Sequence, residues 1–204
     1  MHHEALIRLY RRYVARNRLL LQFYGCPLPQ SLVEKEICVP VHRYGRAFLV
    51  VRLQHLWGEF SRELVVRSAL GHCKTRTGRE LPRVPSVLSF ADIPKITGKP
   101  MAGRGANWDD PSFALRQANT LNVVNYNEIL LGLGSADLSD IRCVRNFIVH
   151  PNSFTRANYV QLTRNLGLIG LEPDLLLAHK VIGGATMFDS WIEDLLNAAW
   201  KAVE

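Results

Sequence analysis

The sequence of 204 residues lacks an apolar run of about 18 residues, the length that a membrane-spanning helix needs. Residues 1–25 mix apolar and charged side chains too closely for a signal peptide, so none is expected there. The four cysteines are scattered and form no C-x-x-C pair, which argues against a zinc site and a disulfide framework. They are Cys26, Cys38, Cys73 and Cys143. We therefore expect a cytoplasmic protein with reduced thiols.

Nucleotide-binding loops, metal-ligand clusters and strand patterns are missing as well. The segment GRGAN, residues 103–107, has neither the G-x-x-x-x-G-K-[ST] order nor the G-x-G-x-x-G order of such loops. No cluster of metal-ligating side chains occurs, so neither a metal ion nor another cofactor is expected. No long alternation of apolar and polar residues, the mark of a half-buried strand, is found either.

Apolar residues recur instead at three- and four-residue steps, which predicts an all-α helical bundle of four to five main helices. We expect a single domain over residues 1–204. Asp109 or Asp110, followed by Pro111, favours a helix start, and Gly71 favours a helix end. The predicted helices cover residues 4–24, 46–71, 111–131, 172–184 and 186–203, and a further short helix starts near Ser135 or Asp137 and ends at His150. Residues 151–172 are expected to be loop-like, with one candidate helix over residues 155–167.

The chain is basic, with 25 Lys and Arg against 18 Asp and Glu and a formal net charge of +7. A basic domain suits a polyanionic partner, most often nucleic acid, although many basic proteins bind no anion. The N-terminal helix 1–24 carries five arginines that either form a solvated face or face phosphates. The segment 72–111 contains half of the ten prolines and is expected to be a long basic insertion loop. The cations of the two segments are Arg8, Arg11, Arg12, Arg16 and Arg18, and Lys74, Arg76, Arg79, Arg83, Lys95, Lys99 and Arg104.

The stretch VRNFIVHPN, residues 144–152, places an arginine inside the apolar pattern of a helix. At about 100° of rotation per residue, Arg145 projects between Ile141 and Val149, on the side that should face the bundle or a groove. A guanidinium stays charged there and needs a partner. That partner is either a carboxylate from another helix or an anion that binds reversibly.

His150 precedes Pro151, and the residue before a proline is disfavoured in the α region. The helix is therefore expected to end at His150, so that its imidazole can line the same cleft as Arg145. A histidine suits general acid–base catalysis, and an arginine suits a phosphate. Geometry alone also fits a structural arginine and a histidine that caps the helix.

The segment RNFIVH, residues 145–150, resembles the R-x(4–6)-H motif of the HEPN superfamily. Asn146 is the polar residue that usually follows the arginine in that superfamily, and a late helix of an all-α domain is the usual place of the motif. The segment LQHLWGEFSREL, residues 53–64, is similar to the aromatic and acidic second helix of some HEPN families. The resemblance covers residues 45–200 in outline.

The resemblance implies a metal-independent endoribonuclease that acts on RNA, such as tRNA, in a toxin–antitoxin system, phage defence or RNA processing. His150 is then expected to deprotonate the ribose 2′-OH or to protonate the leaving 5′-oxygen. Arg145 would hold the scissile phosphate, and Asn146 would orient a partner or the phosphate. HEPN proteins usually form homodimers in which two motifs share one cleft. Further candidates for substrate binding are Arg142, Arg62, Arg156 and Asn125.

One position departs from a group of HEPN toxins, which carry a tyrosine two residues after the histidine for modification by a partner enzyme. Asn152 occupies that position here, so this type of antitoxin is not expected, whereas another antitoxin or defence-system partner stays open. Two alternatives to catalysis also stay open. The chain could be an inactive HEPN-like module that binds RNA, a nucleotide or a partner protein, or a structural subunit whose basic face is merely solvated.

Overall fold

The computed structural model describes residues 6–25, 48–71, 73–101, 107–181 and 183–204. These residues form nine α-helices and one pair of two-residue antiparallel strands, which confirms the predicted all-α fold. The helices are α1 (Leu6–Gly25), α2 (Phe48–Leu70), α3 (Asp92–Thr97), α4 (Pro111–Leu121), α5 (Tyr126–Leu133), α6 (Ser139–Val149), α7 (Ser153–Asn165), α8 (Pro173–Ala178) and α9 (Met187–Ala202), and the strands are β1 (Cys73–Lys74) and β2 (Glu80–Leu81). Across these ranges, no helix has the length and apolar character that crossing a membrane requires.

The chain divides into two compact units. The described residues of unit 1 are 6–16, 55–71, 73–101, 107–137 and 194–204, and those of unit 2 are 17–25, 48–54, 138–181 and 183–193. The single domain over residues 1–204 stays a prediction. Arg145, Asn146 and His150 all belong to unit 2, so the candidate site can be built within that unit.

Unit 1 contains an aromatic core that joins α1 to α2. The ring centroid of Tyr13 lies 4.9 Å from that of Phe60 and 6.1 Å from that of Trp57. All three side chains are buried, as their helical spacing in the sequence predicts. Aromatic pairs of this kind add about 0.5–1.5 kcal/mol to the stabilisation that comes from burial alone.

Two arginines of α1 form ion pairs with α2 within unit 1. Arg12 Nη2 lies 3.0 Å from Glu63 Oε2, and Arg16 Nη1 lies 2.8 Å from Glu59 Oε2. Exposed pairs of this kind contribute about 0–1 kcal/mol each. Their charges are matched by carboxylates of the same unit, so this part of the arginine-rich helix supports helix pairing rather than a continuous phosphate-facing stripe.

The predicted helix 111–131 is wrong in its length, because the chain breaks it into α4 and α5. Its start is as predicted, with Pro111 in the first turn and Asp110 Oδ1 accepting the Ser112 N–H at 3.0 Å. Its break falls at Asn122, which has a φ of 53° in the left-handed region. Asparagine tolerates that region better than most residues. The density of asparagines in this segment was the signal for the break.

The predicted insertion loop 72–111 contains short regular elements and buried apolar residues. Its described part contains β1, β2 and α3, and Val84, Val87 and Ile93 are buried. The Val84 N–H also donates to Ala69 O at 2.9 Å, which ties the segment to the end of α2. Residues 73–101 lie mostly outside helices and strands, as the loop prediction has it, but their prolines bound short elements instead of excluding them. Residues 102–106, with the predicted cation Arg104, lie outside the described residues.

In unit 2, α6 packs against α7 through a pair of stacked rings. The centroids of Phe147 and Tyr159 are 4.5 Å apart with 8° between the ring planes, and Tyr159 Oη donates to Leu171 O at 2.9 Å. The buried stripe of α6 consists of Ile141, Val144 and Ile148. Val149 was predicted to share that stripe, but it is 36% exposed because it lies at the edge of the stripe in the last position of the helix.

The buried thiol of Cys73 is expected to make the stability of the fold fall at alkaline pH. Burial raises the pKa of this thiol to about 11 from a usual value of 9.0, and Cys73 Sγ donates to Arg67 O at 3.4 Å. Between these two pH values the folded state holds a proton that the unfolded state has lost, so stability falls as the pH rises. We expect urea unfolding midpoints of the wild type to fall more steeply between about pH 9 and 11 than those of Cys73→Ala. Parallel pH profiles of the two proteins would contradict this role.

Candidate active site

Arg145 flanks the buried stripe of α6 and is half-buried. Its Nη1 donates to Asn146 Oδ1 at 2.9 Å. That bond is its only polar contact with the part of the chain that the structure describes, and no carboxylate of that part lies within ion-pair distance. Of the two partners expected for this guanidinium, the carboxylate is therefore not found among these residues. Most of its five N–H donors remain available to an anion.

Asn146 is exposed on the next position of α6. Because its Oδ1 accepts the bond from Arg145, its Nδ2 keeps two donors for another group. The arginine and the asparagine of the predicted catalytic set are thus brought together by one hydrogen bond. Both side chains project from α6 outside its buried stripe.

His150 follows the last residue of α6 and has left the helical region, with a φ of −130° and a ψ of 65°. This confirms the predicted helix end, and its cause is the restriction that Pro151 imposes. The backbone is held on both sides, since the His150 N–H donates to Asn146 O at 2.9 Å and His150 O accepts from Thr155 Oγ1 at 2.7 Å. The imidazole itself is exposed and makes no hydrogen bond to any described residue. The backbone of His150 is thus held in place while its ring is open to solvent.

Thr155 belongs to a capping box that starts α7. The Asn152 side chain accepts the Thr155 N–H at 3.0 Å, and Thr155 Oγ1 accepts the Asn152 N–H at 3.1 Å. The same hydroxyl donates to His150 O. The start of α7 is thereby locked to the end of α6, and the sequence signal for this lock is the spacing Asn152-x-x-Thr155.

A cleft with a volume of about 390 Å³ opens on α6 and α7. Its lining residues are Ser139, Arg142, Cys143, Asn146, Phe154, Thr155 and Asn158. Arg145 and His150 are not among them, but each is one hydrogen bond from a lining residue, Arg145 through Asn146 and His150 through Thr155. Of the predicted catalytic residues, Asn146 therefore lines the cleft, whereas Arg145 and His150 lie beside it.

The cleft is lined by one arginine and by no carboxylate among the residues that the structure describes. Asp140 lies close enough to Cys143 for its charge to add to the effect of burial, which is the larger cause, in raising the pKa of that thiol. The Cys143 side chain is therefore a neutral group near pH 7. An anionic or neutral polar ligand suits this lining better than a cation.

The other predicted substrate-binding residues are spread over both units. Arg142 lines the cleft, and Arg156 is exposed on α7 of the same unit. Arg62 and Asn125 belong to unit 1. Asn125 is only 1% exposed, and its role in substrate binding stays a prediction.

The basic segment 72–111 offers less free charge than its composition predicts. Four of its cations are ion-paired within unit 1, and Arg76 also lies over the Trp200 ring, 4.7 Å from the centroid. The pairs are Lys74 with Glu80, Arg76 with Glu204, Arg79 with Glu128, and Lys95 with Asp92. These four cations are therefore paired locally, while the net charge of +7 of the whole chain is unchanged by the pairing.

Sequence reasoning did not find Phe154, Thr155, Asn158, Ser139 or Cys143. The helix was expected to start at residue 155, whereas α7 starts at Ser153, so the position of Phe154 in its first turn was not recognised. Within the described ranges, no group of three or more His, Cys, Asp or Glu side chains is arranged to hold a metal ion.

Comparison with known proteins returns no match to a family model, to a curated protein or to a solved structure.

Proposed function

We propose that the protein is a metal-independent endoribonuclease of HEPN type that uses Arg145, Asn146 and His150. The observation that carries the proposal is that the side chains of Arg145 and His150 are largely without bonds to the described residues. Among the described residues, Arg145 bonds only to Asn146 and keeps most of its donors open to an anion, and the His150 ring at the end of the same helix makes no hydrogen bond. A purely structural arginine or capping histidine would be expected to form hydrogen bonds with other groups of the protein.

The chemistry follows from the properties of these side chains. An imidazole acting as base takes the proton of a ribose 2′-OH, and the 2′-oxygen attacks the adjacent phosphorus. The bond from phosphorus to the 5′-oxygen breaks, and an imidazolium acting as acid returns a proton to that oxygen. The products are a 2′,3′-cyclic phosphate and a 5′-OH. Arg145 binds the phosphate oxygens and stabilises their charge as the bonds exchange, and Asn146 orients Arg145.

One histidine cannot be base and acid in the same step, so the proposal includes a homodimer in which two copies of the motif share one cleft. The resemblance to HEPN proteins is the source of this part of the proposal. A two-fold symmetric interface would place each motif opposite its copy. The proposed setting is cytoplasmic, in a toxin–antitoxin system, phage defence or RNA processing, with a regulatory protein that is not of the tyrosine-modifying type.

The direct test is cleavage of total tRNA and of a long single-stranded RNA by the wild-type protein in EDTA. We expect cleavage to persist without divalent ions and to leave 2′,3′-cyclic phosphate and 5′-OH ends, because the attacking group is the substrate's own 2′-OH. An RNA of the same sequence with 2′-O-methyl groups throughout is the control and should stay intact. Cleavage that requires Mg²⁺, or that leaves 5′-phosphate ends, would contradict the proposed chemistry.

The alternative is a catalytically inactive module that binds RNA, a nucleotide or a partner protein. It is supported by the position of the cleft, because neither Arg145 nor His150 is among the residues that line it. RNA binding without turnover by a protein shown to be folded would favour this alternative. The dependence of that binding on salt would report how many phosphates are contacted.

A further inference from the structure

Phe154 stands out among the apolar side chains of unit 2. It lies in the first turn of α7, lines the cleft and is 72% exposed. A single exposed apolar residue is ordinary on a protein surface, but this ring lines a cleft whose other lining residues are mostly of polar type. Aromatic rings in such places serve as stacking platforms for unpaired bases in single-strand-binding proteins.

Two amides stand near this ring in the same cleft. Asn158 is exposed and its side chain makes no hydrogen bond to the described residues, and Asn146 keeps the two donors of its Nδ2. Each amide group offers donors and acceptors side by side, which is the pattern that the edge of a nucleobase requires. Ser139 and Thr155 add hydroxyl groups to the lining.

The size and charge of the cleft restrict the ligand further. Its volume of about 390 Å³ lies near the lower end of the range of small-ligand sites, about 300–1,000 Å³. One base with its sugar suits this volume, and a duplex does not enter it. Arg142 is the only charged side chain of its lining among the described residues, and it suits the phosphate attached to the base.

We propose that the cleft of α6 and α7 is a subsite for one unpaired nucleobase of single-stranded RNA, which stacks on Phe154 while the amides of Asn146 and Asn158 contact its edge. The subsite rests on the proposed function for the identity of the ligand as RNA. Because Asn146 lines the cleft and also binds Arg145, a base held here is adjacent to the residues that act on the phosphate. The subsite thus selects single-stranded segments for cleavage.

The test is the affinity of a fluorescent single-stranded 2′-O-methyl RNA, which binds without being cut, measured by anisotropy with the full chain. Phe154→Ala should bind this RNA roughly 5- to 150-fold more weakly than the wild type, as expected for the loss of one base stack. Phe154→Trp should restore the affinity, because a larger ring still stacks. Phe90→Ala is the matched control, since Phe90 is also an exposed phenylalanine, at 52%, but belongs to unit 1.

The outcomes separate this subsite from the proposed reaction. Equal affinity of Phe154→Ala and Phe90→Ala, or binding of a duplex as tight as that of the single strand, overturns the subsite. No binding by the wild type also overturns it. If binding depends on Phe154 but the unmodified RNA is never cleaved, the subsite stands and the ribonuclease proposal fails. If Phe154→Ala and the wild type cleave RNA equally well, the ribonuclease proposal stands and the subsite fails.

Discussion

Replacing His150 with alanine is expected to lower the rate of RNA cleavage by about 100- to 10,000-fold, the range that a general acid or base contributes. The reason is that the exposed imidazole is the only proton-transfer group in the motif, and alanine removes it. The fold should not change, because the contacts of His150 to Asn146 and Thr155 use backbone atoms that alanine keeps. The measurement is the single-turnover rate on the same RNA, alongside the thermal unfolding midpoint.

The matched control is His179→Ala. His179 is also an exposed histidine that follows the last residue of a helix in unit 2, α8, and its backbone N–H likewise donates into that helix, to Leu176 O. This variant should cleave RNA at the wild-type rate. A folded His150→Ala protein that cleaves as fast as His179→Ala would rule out the role of His150 as acid or base.

The ends of elements were predictable where one residue type restricts the backbone. Pro151 predicted the end of α6, and Asp110 with Pro111 predicted the start of α4. The break at Asn122 was missed, because asparagine tolerates the left-handed region without requiring it. Burial in the segment 73–101 was missed for a different reason. Its apolar residues are too widely spaced to show a period, and they are buried by packing that involves distant parts of the chain.

In the candidate site, too, features of a single helix were predictable from the sequence, whereas contacts between two helices were not. Rotation along one helix placed Arg145 beside the buried stripe, and the proline rule placed His150 outside the helix. The lock between Thr155 and His150 and the cleft lined by Phe154 depend on how α7 starts and packs on α6. Such contacts between two elements are not fixed by the period of either one, so the sequence offered only the Asn152-x-x-Thr155 spacing as a clue.

Gly71→Ala is expected to lower the free energy of unfolding by about 3 kcal/mol or more, the largest stability effect that we predict. Gly71 follows α2 with a φ of 68°, and its N–H donates to Arg67 O at 3.0 Å. A Cβ at this position would lie 2.2 Å from Arg83 N and 2.8 Å from the carbonyl carbon of Pro82. Both are backbone atoms of a segment that is itself bonded to α2, so they cannot move aside as a flexible side chain does.

Gly78→Ala separates the backbone strain from the steric overlap that together destabilise Gly71→Ala. Gly78 has a φ of 89°, also in the left-handed region, but a Cβ there would meet nothing within 4 Å among the described residues. This variant should therefore show only the backbone strain, about 1–2 kcal/mol, whereas Gly71→Ala adds the steric overlap with residues 82 and 83. Urea unfolding of the two variants and the wild type at one pH measures the difference. Equal losses in the two variants would show that the segment after β2 yields to the new methyl group, and the tight packing of that segment against the end of α2 would be refuted.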